Sequence, residues 1–163
     1  MSDEDTYCRL IALLDGEGAA YRLIDHAPEG VTDVVSALRG HPAAHAAKCL
    51  VLIVKLDRRT TRYVLAVVPG DERVDLAAVR RLYGARYVGF ADAATAERLA
   101  GSVPGTVLPF SFDPELEAVA DVAIERAPEL FFNAARLERS VAMSAADYLR
   151  IARPRLAPIA AGG

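Results

Sequence analysis

The chain has 163 residues, of which 53% are hydrophobic and 25% charged, with a formal net charge of −3. That is enough apolar material for one domain spanning 1–163 and too much for a disordered chain, while no uninterrupted apolar run approaches the ~18 residues of a membrane span. A net acidic chain is also ill-suited to gripping long nucleic acid through its phosphates, although it can take one RNA end into a pocket.

The N-terminus, "MSDEDTYCRL", is acidic and lacks the basic and then apolar regions of a secretory signal. "TYCRLIALLDGEG" follows as an amphipathic helix, with Leu10, Leu13 and Leu14 at helical spacing and Gly16 or Gly18 as its stop. "AAYRLIDH" reads as a strand ending at His26, "APEG" as a turn, and "VTDVVSALRG" as a helix with Thr32 as N-cap and Gly40 as stop. After an ambiguous "HPAAHAA", Lys48 to Leu56 form a strand, and "TRYVLAVVPGD" is its hairpin partner across "DRRTT". A helix capped by Asp75 and ended by Gly84 leads to the short strand "ARYVGF" and a helix from Asp92 to Gly101. "GSVPGTVLPFSFDP", with two glycines and three prolines, is a structured loop. "LEAVADVAIE", "ELFFNAA" and "RSVAMS" read as strands. "SAADYLRIARP" is a helix capped by Ser144 and ended by Pro154, and residues 155–163 form a frayed tail.

Hairpins and helices without strict βαβ alternation predict an α/β protein of the α+β type. Its sheet is mixed and largely antiparallel, or an open barrel, and helices surround it. Cys8 and Cys49 have neither disulfide-framework nor metal-ligand spacing, which suits a reducing cytoplasm. His41 and His45 stand four apart, but Pro42 occupies the place where a zinc-protease motif needs Glu, so no metal is expected. The arginine clusters at 58, 59 and 62, at 80, 81 and 86, and at 150, 153 and 155 read as solvated faces.

Lys48 draws attention because it opens the most hydrophobic strand. Side chains alternate, so Lys48 shares a face with Leu50, Leu52, Val54 and Leu56, and both faces are apolar, as in a central strand. Its ammonium either snorkels to water or faces a pocket, where it binds phosphate or steadies an oxyanion. The loop Gly101, Ser102, Val103, Pro104 and Gly105 is the second candidate, since glycine lets a ligand approach backbone N–H groups; an ordinary helix cap and turn is the alternative. Ser102 lacks a G-x-S-x-G elbow. His26 and Asn133, each ending a strand, are candidate pocket walls or ordinary strand termini.

In order along the chain, "YRLIDH", "AAKCLVLIVK", "VLAVVPGDERVDLAAVRRL", "GSVPGTVLPF" and "SAADYLRIA" resemble the YbaK/prolyl-tRNA-synthetase-associated domain family of free-standing aminoacyl-tRNA deacylases. "VVSALRG" (residues 34–40), "GTVLPFSFDPEL" and "ADYLRIARP" are most similar to its YeaK-type branch. The resemblance implies a trans-editing hydrolase that cleaves the ester of a mischarged small amino acid, of the Ala, Ser or Thr class, from the 3′-terminal adenosine of tRNA. It implies the family lysine at Lys48, a glycine-rich pocket loop from Gly101 to Pro109, and no metal or organic cofactor. His26, Thr32, Val103 and Asn133 are expected to line the substrate pocket. The tRNA acceptor end is the implied partner, with a synthetase as a possible source of substrate; DNA and membranes are not. Cys49 and Asn133 stand where some members carry Asn and His, which bears on the amino acid accepted. A non-catalytic binding module and a hydrolase of another small ester are the competing readings.

Overall fold

The structure, a computed structural model, describes residues 2–162. Helix α1 (Asp3–Gly16) begins earlier than its leucine spacing suggests, because Ser2 and Asp5 form a reciprocal capping box and three acidic side chains sit in the first turn. Its Leu10 and Leu14 are fully buried. Strand β1 (Tyr21–Asp25) leads to α2 (Thr32–Arg39), β2 (Ala47–Lys55) and β3 (Thr61–Pro69). Next come α3 (Leu76–Tyr83), β4 (Tyr87–Phe90), α4 (Ala93–Ala100) and β5 (Leu116–Asp121). β6 (Glu129–Asn133), β7 (Arg139–Ser144), α5 (Ala145–Ala152) and β8 (Arg155–Ala157) complete the order. Asp75, Asp92 and Ser144 cap α3, α4 and α5 through their side chains, as the sequence predicts.

The α+β expectation holds, with strands divided between two sheets and no closed barrel among the described residues. One sheet has the order β1-β7-β6 and the other β4-β2-β3-β5-β8. Pairing is antiparallel except for β3 with β5 and β5 with β8. β2 lies between β4 and β3, so both its edges are paired, and its two apolar faces enter separate cores. Leu52 and Val54 pack with Val64, Val79 and Val88 on the α3 side. Ala47 and Val51 belong to the larger core between the sheets, with Leu10, Leu14, Phe132, Met143 and Tyr148. A single bridge between Ala46 and Phe131 joins the smaller sheet to the start of β2, and a cavity opens beside this junction.

Three local expectations are corrected. Thr32 is not the N-cap of α2: Val31 holds that position with no side-chain cap, and the Glu29 carboxylate accepts from the amides of Gly30 and Val31 instead. The segment "LEAVADVAIE" is a strand only to Asp121, after which Val122–Arg126 turn into a 3-10 helix. The tail is not frayed over the described part of 155–163: β8 pairs with β5, and Ile159 is fully buried. Asp121 explains the last two. One of its oxygens accepts from Ala123 N–H at 2.9 Å and starts the 3-10 turn. The other accepts from Ile159 and Ala160 N–H at 2.8 and 2.9 Å and fixes the tail. Gly163 lies outside the described residues.

Candidate functional site

A cavity of about 200 Å³ opens where β2 begins, between α2 and the loop after α4. Lys48, Arg39, Thr32, Gly105 and Asn133 all line it, together with Gly30 and Phe132. Four elements distant in sequence thus converge on one hollow. Its two charged groups are both cations, and its lining contains no carboxylate or histidine.

The walls are held by Asn133, which is 6% exposed. Its amide nitrogen donates to Glu29 O at 2.8 Å and Gly105 O at 3.1 Å, stitching the loop before α2 to the loop after α4. Between those loops the backbones meet. A Cβ on Gly105 would lie 2.9 Å from Gly30 Cα, and Gly105 has φ +85°, so only glycine closes this seam without strain. The oxygen of Asn133 accepts from Ser140 Oγ at 2.9 Å. Ser140 Oγ also accepts from Arg39 Nη1 at 3.2 Å and lies 2.7 Å from His26 Nε2. Every polar atom of the Asn133 side chain is occupied, so this residue shapes the cavity and has no hydrogen left to offer a ligand.

Arg39 is a charged lining residue that the sequence reading missed. Its Nε is buried without a hydrogen-bond partner, and no carboxylate approaches its guanidinium within ion-pair distance among the described residues. Burial drags its pKa down to about 10. A cation desolvated in this way is costly unless an anion arrives to face it. An arginine in the last turn of a helix normally reads as a partner of the helix dipole, so sequence gave no sign of a pocket role. Lys48 likewise makes no ion pair, and strand alternation places it on the face of Leu52 and Val54, as expected.

The other expected residues divide. Gly101 does not reach the cavity: it caps α4 at φ +75°, its N–H donates to Glu97 O at 2.8 Å, and its carbonyl accepts from Thr6 Oγ1 at 2.6 Å. Its amide is therefore not available as an oxyanion donor, contrary to expectation. Val103 also stays out, its carbonyl accepting from Thr106 Oγ1 at 2.7 Å and from Thr106 N–H. Ser102 is buried, with its hydroxyl donating to Thr106 O. Ser102 and Pro104 line a neighbouring hollow of about 270 Å³ that shares Cys49, Leu50, Gly105 and Val107 with the first. His26 sits one layer behind the cavity and acts on it through Ser140. Burial pushes the Cys49 thiol far above its ordinary range, so it is no thiolate nucleophile.

Among the described residues no group of His, Cys, Asp and Glu is placed to hold a metal, and no helix is long and apolar enough to cross a membrane. The cavity can grip an anionic group or stabilise developing negative charge. It supplies no protein general base from its own lining.

Comparison with known proteins agrees with this geometry. The chain is 41% identical over 152 residues to the "Multifunctional Ser/Thr-tRNA deacylase ProXp-y" of Escherichia coli (strain K12), covering 93% of this chain and 90% of that one. It is 29% identical over 133 residues to a proline–tRNA ligase of Bacillus licheniformis, of which that stretch is 22%. A solved structure described as a putative trans-editing enzyme for prolyl-tRNA synthetase superposes with a TM-score of 0.79 at 19% identity, covering 96% of this chain and 98% of that one, and shares the fold. Residues 28–151, the span holding every lining residue of the cavity, match the aminoacyl-tRNA editing domain. The chain belongs to the aminoacyl-tRNA editing domain family, and its chemistry is the ester hydrolysis of trans-editing.

Proposed function

We propose that this chain removes serine or threonine from mischarged tRNA by hydrolysing the ester to the 3′-terminal adenosine. The observation that carries the reading is a small cavity lined by two cations, Lys48 and Arg39, and by no carboxylate. Similarity to a protein named as a Ser/Thr-tRNA deacylase supports the choice of amino acids. Water attacks the ester carbonyl, the carbon–oxygen bond to the ribose breaks, and the proton lost by water passes to the leaving ribose oxygen. With no base in the lining, the adjacent ribose hydroxyl is the relay we assign. Lys48 is the catalytic cation, held for the terminal phosphate and the developing oxyanion, and Arg39 shares that charge. Thr32, Gly30 and Gly105 bound the amino-acid side of the cavity, and Asn133, Ser140 and His26 hold its shape.

We also assign one functional unit to the chain, a cytoplasmic setting, and a synthetase as the source of substrate, the last because part of a proline–tRNA ligase is similar. The test is a deacylation panel of tRNAs carrying Ser, Thr, Ala and a bulky residue such as Phe. Ser and Thr esters should be released at least tenfold faster than the Phe ester. Rates independent of side-chain size would contradict a small-cavity sieve, since steric exclusion is what such a site does best.

A further inference from the structure

Consecutive residues from Ala46 to Leu50 line the Lys48 cavity. A strand face contributes only alternate residues, so an unbroken run means that the cavity is bounded by the strand's edge and its backbone. The pairing explains why that edge is bare. β3 pairs with the whole length of β2, whereas β4 pairs only with Leu52 to Lys55. Beyond β4, Ala91 N–H donates to Val51 O at 3.0 Å, and the chain then turns into α4 at Asp92. Between Val51 and the Ala46–Phe131 bridge, no strand takes over this edge among the described residues.

The alternation of the ladder decides which backbone groups face the gap. Ala46 O accepts from Gly70 N–H at 2.9 Å, and Leu56 N–H donates to Thr60 O at 2.9 Å. Even-numbered residues of β2 therefore exchange their bonds with β3. Odd-numbered ones point the other way, as the Val51 and Lys55 carbonyls do in accepting from Ala91 and Arg86. Cys49 is the odd residue in the gap. Among the described residues its N–H and C=O have no hydrogen-bond partner, while its thiol reaches back to Ala47 O at 3.5 Å. It lines both the Lys48 cavity and the neighbouring hollow. Backbone groups left open in a cavity wall are costly unless something meets them.

In an antiparallel ladder such a residue exchanges two bonds with the one residue opposite, N–H to C=O and C=O to N–H. An aminoacyl ester carries the same two groups in the same spacing, an α-ammonium and a carbonyl joined by one carbon. Resting on the deacylase reading, we propose that the aminoacyl group docks on Cys49 as a one-residue strand. Its carbonyl oxygen accepts from the Cys49 N–H, and its α-ammonium donates to the Cys49 C=O. The N–H is then a catalytic group. Water adds to the ester carbon, the carbonyl oxygen takes up the electron pair, and its bond from the N–H strengthens. The amide keeps its proton, and the carbonyl re-forms as the bond to the ribose oxygen breaks. A donor fixed in a strand supplies what Gly101, whose amide is spent on Glu97 O, does not.

The experiment removes this N–H from the full chain. Because the Cys49 N–H makes no ladder bond, proline is compatible with the position, and Cys49→Pro is the first variant. The second carries a backbone ester at position 49, made by incorporating lactic acid there, which replaces N–H by oxygen without a ring. Both are compared with Cys49→Ala, which has the side chain of the ester variant and keeps the N–H. Single-turnover release of serine from Ser-tRNA should be about a hundredfold slower in the folded ester variant than in Cys49→Ala, and Cys49→Pro should be slowed at least as much. The substrate supplies the other arm. For wild type, tRNA esterified with 3-hydroxypropionate, which is serine without its amino group, should show a KM about tenfold above that of Ser-tRNA. A folded ester variant within about threefold of Cys49→Ala would overturn the assignment and leave the deacylase reading standing. An unchanged KM for the deamino ester would overturn the docking of the ammonium on Cys49 C=O. Wild type that releases no serine would overturn the deacylase reading, and the catalytic role of the N–H with it.

Discussion

Strand β2 carries a lysine near each end, and the two ends differ in everything else. Lys55 is exposed, with its ammonium 5.8 Å from the centre of the Tyr87 ring, beside a shallow hollow lined by Asp57, Arg58 and Arg86. Water and a carboxylate share that surface, so its charges are screened and none is held at a cost. Lys48 is half-buried in a cavity whose other charge, Arg39, has the same sign. What separates a surface cation from a site is the removal of water and counter-charge together. A fold keeps two such cations in one hollow when the anion they await is a substrate.

The sharpest way to break this contrast is to remove the more desolvated of the two cations that lack a counter-charge. Arg39→Met should lower kcat/KM on Ser-tRNA by roughly two powers of ten, as losing a donor to developing charge does. The same variant should melt no lower than wild type, because an uncompensated buried charge destabilises the free protein. A large fall in melting temperature with activity intact would mean that Arg39 serves the fold.

Closing the seam is the next largest effect. Gly105→Ala places a Cβ 2.9 Å from Gly30 Cα at φ +85°, so it should cost about 1–3 kcal/mol in chemical denaturation and reduce kcat/KM about tenfold. Gly101→Ala shares the left-handed backbone but lies off the cavity, so it should destabilise with little change in kcat/KM once the protein is folded.

A smaller effect concerns His41, which stacks on Phe131 with ring centroids 3.8 Å apart and whose Nε2 is buried without a partner. Burial, the largest influence, holds its pKa below the ordinary 6.5, and Arg39 pushes the same way. A lowered folded-state pKa means that the unfolded chain takes up protons first. The stability from neutral His41 is present above about pH 6.5 and is lost as pH falls through the folded value. The drop in melting temperature between pH 7.5 and pH 5 should therefore be smaller in His41→Phe, which keeps the stack. An equal or larger drop would assign the titration elsewhere. Smallest of all, Lys55→Ala should leave kcat/KM within about twofold, and a larger loss would erase the distinction between the two ends of β2.

Local order was legible in the sequence where one rule decided it. Alternation placed Lys48 on the Leu52 face and made β2 central, and Asp75, Asp92 and Ser144 announced their helices. What depended on a distant partner was not legible. The tail is fixed by Asp121, some 38 residues away in sequence, and nothing in "RLAPIAAGG" signals that partner. Thr32 looked like a cap because caps are read from residue type, whereas Glu29 satisfies the amides from outside the motif. The glycine loop was found but its division was not. Gly101 closes a helix, Ser102 and Pro104 line the apolar hollow, and Gly105 and Val107 reach both hollows. Asn133 was placed at the pocket, yet its work is to tie two loops through backbone carbonyls, a contact visible only when three elements are assembled.

The central claim is that the cation opening β2 stabilises the transition state of ester cleavage. Single-turnover release of serine from Ser-tRNA, with enzyme in excess, measures that step directly for wild type and Lys48→Ala. The rate constant should fall by roughly two powers of ten or more, with the variant's melting temperature close to wild type. A folded Lys48→Ala protein that releases serine at a near-normal rate would contradict the account.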